Sequence, residues 1–300
     1  MALIIIDPQF VPDLETRLSG LGIQTDPNAV VLGGTRSVFD FIGHYGPDAF
    51  AQNALVPGFI VGQQQGNMPN IANPYSNVHA NKGLLRDEAN KSFTFTPRLG
   101  NNVPDIAAVA ASPWNLRSYG DGASVIMEHW LTITDAGMGG TEQDANLIGF
   151  GHQNGIWMQW GLTVNQVTNA IRFRVHGATE TGAATQEVSL AGLRNIPLQL
   201  VIVIKRDTPT SNTFTARLYV NKVLRATLAN RSYPHTNPQE GPVSGTIFPG
   251  YMTISGGFGS SVRGKYHRSS VTQIPQNWTD AQVLSFITER YDEIQPLLAA

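Results

Sequence analysis

Between Leu198 and Leu228 the chain reads LQLVIVIKRDTPTSNTFTARLYVNKVLRATL, and few folds can accommodate such a stretch. Leu198 to Lys205 is almost unbroken in β-branched and aliphatic residues, the pattern of a strand buried on both faces. After turn chemistry from Asp207 to Asn212, Phe214, Ala216, Leu218 and Val220 alternate with Thr215, Arg217 and Tyr219. That is the period of two of a half-buried strand. Asn221-Lys222 then separates Leu218-Tyr219-Val220 from Val223-Leu224-Arg225, the spacing of a two-residue hairpin. Asn accepts the left-handed backbone that such a turn needs, and Lys does so less readily than Gly. The stretch predicts an antiparallel meander around a core strand.

Other strand signals surround it. Phe93 and Phe95 alternate with Ser92, Thr94 and Thr96, and Val125 to Thr134 is apolar on both faces. Leu147 to Leu162 carries Asn154-Gly155 between two apolar runs, a strong hairpin signal. Ile171, Phe173 and Val175 alternate with Arg172, Arg174 and His176, which predicts a strand with one solvated face. Tyr251 to Ile254 and Val271 to Ile274 are shorter candidates. The chain closes in a helix: Thr279 and Gln282 form a capping box, Trp278 is placed to staple against Val283, and Val283, Ile287 and Ile294, with Leu284 and Tyr291, make an apolar face running to Pro296. Many short strands followed by one late helix predict a mainly β chain, a two-sheet jelly roll.

Residues 1–90 read differently. Asp13 to Gly20 fits a short helix, but Pro57 to Asn81 shows neither period and is studded with Gly, Pro and Asn. Apolar residues there are too sparse to hold the segment on a core of its own. The expectation is an irregular N-terminal arm clamped by neighbouring subunits, with Ile4, Ile6, Phe39, Phe41 and Phe59 entering partner grooves.

Composition narrows the function. Only 14% of residues are charged, against roughly 25% in an average soluble domain, and net charge is −2 with Arg and Lys scattered singly. Neither a nucleic-acid footprint nor an anionic-membrane patch is visible, and no apolar run reaches the ~20 residues needed to span a bilayer. Leu3 to Ile6 is too short for a signal-peptide core, so synthesis in a cytoplasm is expected. The absence of cysteine removes disulfides, thiol nucleophiles and zinc–thiolate sites together.

Glu128-His129-Trp130-Leu131, the paired strands of Leu147 to Leu162, the hairpin ARLYVNKVLRAT from Ala216 to Thr227, and the closing segment Tyr251 to Ile294 together resemble the concanavalin A-like lectin/glucanase superfamily, in particular laminin-G-like domains. The resemblance covers about residues 90–295 and implies a two-sheet antiparallel jelly-roll sandwich with one C-terminal helix over residues 91–300. Two departures stand out. Asn195-Ile196-Pro197-Leu198 replaces the Trp that members often carry at the start of the core strand, and no acidic cluster resembles their calcium site. The N-terminal arm and the low-charge, Gly- and Asn-rich composition resemble tailed-bacteriophage virion proteins.

Candidate chemistry is sparse. A glycosidase needs two carboxylates across a cleft, and Glu142-Gln143-Asp144 is the nearest approach, with Asn146 where a third acid would stand. Beside Gly139-Gly140 it reads better as an exposed turn. Glu128 is a lone Glu on a strand, a pattern usually solvated or paired with Arg. None of the histidines at 44, 79, 129, 152, 176, 235 and 267 falls at metal-ligand spacing, and no phosphate-cradling loop or nucleophile elbow is present, so no cofactor and no metal is expected. Loop aromatics are the better lead, because sugar rings stack on flat side chains beside amide and carboxylate partners. Trp114, Tyr119, His152, Asn154, Tyr233, Asn237 and Glu240 are the candidate glycan contacts, the rival being burial of these side chains against the arm or a neighbouring subunit. Trp157 and Trp160 differ in parity, so one of them belongs to the core.

Three functions follow in order of expectation. The first is a non-enzymatic virion structural protein, contacting other virion proteins and copies of itself, its arm anchoring the displayed sandwich as capsid decoration or as a tail, baseplate or fibre component. The second is a carbohydrate-binding module for host surface glycan, and the third is a glycan-degrading enzyme using Glu142 and Asp144.

Overall fold

The computed structural model describes residues 35–40, 42, 59–60, 84–87, 92–95, 116, 124–134, 144–151, 158–165, 167–176, 184–232 and 264–299. They form two antiparallel sheets and one helix. The larger sheet has nine strands. Its main path runs β12 (Val223–Ser232), β11 (Thr213–Val220), β10 (Pro197–Arg206), β5 (Ser124–Ile133), β13 (Gly264–Gln273), β1 (Thr35–Asp40) and β2 (Phe59–Ile60). The far edge of β13 is shared: β4 (Ser92–Phe95) takes residues 264–266 and β1 takes 268–272, while β3 (Leu84–Asp87) pairs with β4. The smaller sheet orders β6 (Asp144–Gly151), β7 (Met158–Asn165), β8 (Ala170–Val175) and β9 (Ala184–Ser189).

The meander stands as its pattern requires. β10 is buried from Leu198 to Ile204 because sheet neighbours flank it, the opposite sheet covers one face and the helix covers the other. Asn221 and Lys222 both take positive φ, 48° and 60°, the two left-handed residues of a tight hairpin. Asn221 also ties the tip to β10, where its Oδ1 accepts the Gln199 N–H at 2.9 Å and its own N–H donates to the Gln199 carbonyl at 2.9 Å. Lys222 is held in this unfavourable conformation by Asp292 at 2.7 Å and by the Tyr291 ring, 4.7 Å from its ammonium. The β6–β7 hairpin pairs Gly151 with Met158; Asn154-Gly155 lies outside the described residues.

The sandwich core is made by alternate side chains of both sheets. Val125, Met127, Leu131, Leu200, Ile202, Leu218 and Val220 meet Trp160, Leu162, Val164, Ile171, Phe173 and Val175, all essentially inaccessible. Trp160 is therefore core; Trp157 lies outside the described residues. At one margin the two sheets are sewn together where the Thr227 N–H of β12 donates to Gln186 Oε1 of β9 at 2.8 Å.

The helix α1 (Asp280–Ala299) packs on the other face of the larger sheet through Val283, Phe286, Ile287, Arg290 and Ile294. Burying each of these apolar side chains is worth roughly 1.5–3 kcal/mol. The capping box forms as expected: the Gln282 N–H donates to Thr279 Oγ1 at 3.2 Å and the Thr279 N–H to Gln282 Oε1 at 2.8 Å. Trp278 packs on the cluster that contains Val283, its ring 6.0 Å from that of Phe286. Two details differ from the expectation. Leu284 is exposed, because it stands about 100° round the helix from Val283. Pro296 does not end the helix, since Leu298 beyond it packs against the cluster of Ile42, Trp130 and Ile294. Thr279→Ala should cost about 1 kcal/mol in urea unfolding, the usual loss for an N-cap.

Part of the stretch expected to form an arm belongs to this sheet. Thr35–Asp40 pairs with Arg268 to Thr272 of β13, and Val38 opposes Phe59 across β1 and β2. Phe39 and Phe59 thus lie on paired strands, whereas Ile4, Ile6 and Phe41 fall outside the described residues.

Candidate functional site

Two polar clusters sit deep in the fold. Glu128 of β5, 2% exposed, faces the helix, where its Oε1 accepts the Trp130 indole N–H at 2.9 Å and the Gln199 amide at 2.8 Å. Its Oε2 lies 3.3 Å from the Ser270 hydroxyl and 3.6 Å from Arg290 Nε. The lone strand glutamate is thus paired with Arg, and it holds α1 to the sheet. On the opposite face of β5, His129 Nδ1 lies 2.6 Å from Ser269 Oγ, a spacing that suggests a nucleophile and its base. Both residues are wholly inaccessible, and the imidazole stacks on Trp160 with centroids 5.6 Å apart. Burial lowers the His129 pKa to about 3, so it is neutral, and no substrate can reach it. This pair is packing.

The accessible chemistry is on the outer face of the smaller sheet. Leu162, Val164, Ile171, Phe173 and Val175 point into the core, so the intervening Gln159, Gly161, Thr163 and Asn165 of β7 and Arg172 and Arg174 of β8 point outward. Register aligns them in rows across the strands. Thr163, Arg172 and Glu187 form one row, and Gly149, Gly161, Arg174 and Thr185 the next. Glu187 Oε1 gathers three donors: Arg172 Nε at 3.0 Å, Arg172 Nη2 at 2.7 Å and Asn165 Nδ2 at 3.1 Å. Asn165 in turn fixes the β7–β8 turn, its Oδ1 accepting the Val167 and Thr168 N–H groups at 3.0 and 3.3 Å. The Arg172 guanidinium, with hydrogen bonds from Thr168 and Asn165, holds the Glu187 carboxyl below the usual carboxylate range. Ionised and pre-oriented, this array presents planar donors and acceptors on one surface, the equipment for hydrogen-bonding vicinal hydroxyls.

The sequence marked Arg172, Arg174 and His176 only as a solvated face. Arg172 and Arg174 are half-buried and His176 is buried, since part of that face is covered. Nothing local distinguished Glu187 or Asn165. Trp114, Tyr119, His152, Asn154, Tyr233, Asn237 and Glu240, like Glu142, lie outside the described residues; Asp144 opens β6. No group of three or more His, Asp or Glu side chains able to hold a metal occurs among the described residues, and no helix among them is long and apolar enough to cross a membrane.

No family model matches the chain, and no curated protein matches it. Solved structures of similar shape include a Trypanosoma rangeli sialidase in complex with sialic acid, at TM-score 0.45 and 12% identity. That match covers 66% of this chain and 28% of the sialidase, so the chain spans well under two thirds of it. The Ruminococcus gnavus IT-sialidase CBM40 bound to alpha2,3 sialyllactose aligns at TM-score 0.41 and 12% identity, over 65% of this chain and 95% of that one. The type G botulinum neurotoxin receptor binding domain gives TM-score 0.39 and 12% identity, over 67% of this chain and 42% of that one. At these scores the likeness is one of shape, and it says nothing of a ligand.

Proposed function

We propose that the chain is a non-enzymatic carbohydrate-binding sandwich whose ligand lies on the outer face of the four-stranded sheet. The observation that carries this reading is the Asn165–Arg172–Glu187 array, preassembled on rigid strands at a partly open surface. Sugars are bound by such planar groups because each can serve two neighbouring hydroxyls, and fixed side chains lose little entropy on binding. Trp114, Tyr119, His152, Asn154, Tyr233, Asn237 and Glu240 remain candidate contacts from the loops.

Binding to a glycan array, followed by calorimetry on the best ligand, tests the proposal. Arg172→Ala should weaken binding at least tenfold, or about 1.4 kcal/mol, without moving the unfolding midpoint by more than a degree or two. Undiminished binding in Arg172→Ala and in Glu187→Ala would move the site elsewhere. Because the carboxyl titrates below its usual range, binding should hold through the ordinary Glu range and fall only below it.

Presentation on a phage particle is a second reading, favoured by the sparse charge, 14% of residues. The argument for a clamp by partner subunits loses weight where residues 35–40, 59–60 and 84–87 find sheet partners in their own chain. Loss of particle incorporation on deleting residues 1–34 would restore the virion reading to first place.

A further inference from the structure

Resting on the carbohydrate reading, we infer that the ligand is an inner stretch of a linear glycan lying lengthwise along β9. Exposure is graded across the outer face of the smaller sheet. On β7 the outward Gln159, Thr163 and Asn165 are buried, and part of their cover is the backbone at Leu116, whose N–H donates to Gln159 Oε1 at 2.9 Å. On β8 the side chain of Arg172 is 22% exposed, and Arg174 is likewise half-buried. On β9 the outward Thr185, Glu187 and Ser189 are all exposed. The accessible ground is therefore a band whose long axis is that of the strands, with a step up at β7 along one side.

A ligand crossing the strands meets one row of the sheet and then the covered β7. A ligand lying along them keeps its full length in contact. The outward positions of β9 span roughly 13 Å from Thr185 to Ser189 at the ordinary rise of a strand, room for several linked sugar rings. Glu187, the centre of the hydrogen-bonded array, stands in the middle of this span, with Thr185 on one side and Ser189 on the other. A sugar held at Glu187 thus has room for a neighbour in both directions. An open band of this kind engages a chain by its middle, whereas selecting an end needs a blind pocket.

The band carries hydrogen-bonding groups along its length. Register places Arg174 beside Thr185, Arg172 beside Glu187 and Ala170 beside Ser189. The Arg172 and Asn165 donors all fall on Glu187 Oε1, which leaves Oε2 to accept from a sugar hydroxyl. Two residues on, Ser189 Oγ accepts the Ala191 N–H at 3.2 Å and keeps its own proton to donate. A second sugar therefore adds contacts that the first does not make. Each further unit seated on the band adds contacts in the same way, while the loss of translational and rotational freedom is incurred once for the whole chain.

The test uses the full-length protein and calorimetry on oligosaccharide ladders, from monosaccharide to hexasaccharide, of linear β-glucan, xylan, mannan, chitin and polygalacturonate. On the ladder that binds, affinity should rise at least tenfold from monosaccharide to tetrasaccharide, and a tetrasaccharide O-methylated at both termini should bind within twofold of the unmodified one. Equal affinity at every length, or loss of binding on blocking the termini, overturns the inference and leaves the carbohydrate reading standing. Silence on every ladder together with binding elsewhere on a glycan array does the same, and silence on both overturns both readings. Thr185→Ala and Ser189→Ala, one on each side of Glu187, should each weaken the tetrasaccharide several-fold more than the disaccharide. If neither does, the ligand does not run along β9 and the inference fails.

Discussion

Replacing Arg290 by methionine is expected to cost the fold about 3–5 kcal/mol, the usual penalty for stranding one member of a buried ion pair. Glu128 is the group stranded. It retains the Trp130, Gln199 and Ser270 donors, but these are neutral, and Glu293 lies beside Arg290 at 2.9 Å on the half-exposed rim of the helix. The reverse change should hurt less. With Glu128→Gln, the amide oxygen still accepts from Trp130 and Gln199, and Arg290 keeps Glu293. The double variant Glu128→Gln/Arg290→Met should therefore recover most of the loss, because no charge is then left in the interface. Urea unfolding of the two single variants and the double one measures the coupling directly. If Arg290→Met loses less than about 1 kcal/mol, the helix is held by Val283, Phe286, Ile287 and Ile294 alone and the buried pair is incidental.

The same network explains where sequence reading stops. The meander, the hairpin at Asn221-Lys222 and the capping box were legible because each depends on residues a few positions apart. β13 was not. Only Val271 to Ile274 stood out as a short strand candidate, and the GKYHRSS half before it did not. Yet the whole strand is central, and its polar residues are buried because β5 supplies their partners: Thr132 for His267, His129 for Ser269 and Glu128 for Ser270. Those partners are 135 to 142 positions away in the chain, beyond the reach of any local periodicity. The candidate site was half visible for a similar reason. Arg172 and Arg174, two apart on a strand, must share a face, but Glu187 stands in ATQEVS, where only Val188 marks the inward side. Register alone brings Glu187 opposite Arg172. The cover over β7 is likewise a tertiary fact, which is why His176 reads as solvated and is buried.

Acid should unfold this protein through His129 well before its carboxylates are all protonated. The imidazole lies in the sandwich core against Trp160 and Ser269, neither of which carries a charge, and burial lowers its pKa from 6.5 to about 3. Above pH 6.5 the residue is neutral in both folded and unfolded chains and contributes no pH dependence. As pH falls below 6.5 the unfolded chain takes up a proton that the folded one refuses, so stability declines. The decline is roughly 1.4 kcal/mol per unit, on the order of 3 kcal/mol by pH 4, and it levels off once pH passes below about 3. Urea unfolding at half-unit steps from pH 7 to 4, on the wild type and on His129→Gln, checks this. Glutamine keeps a hydrogen bond to Ser269 without a titrating group, so the variant's slope should be shallower by close to one proton in that window. Equal slopes would mean that the folded chain takes up the proton at His129 as readily as the unfolded one. The core between the two sheets would then have to open at β5 under mild acid, and the rigid outer face built on its far side would weaken with it.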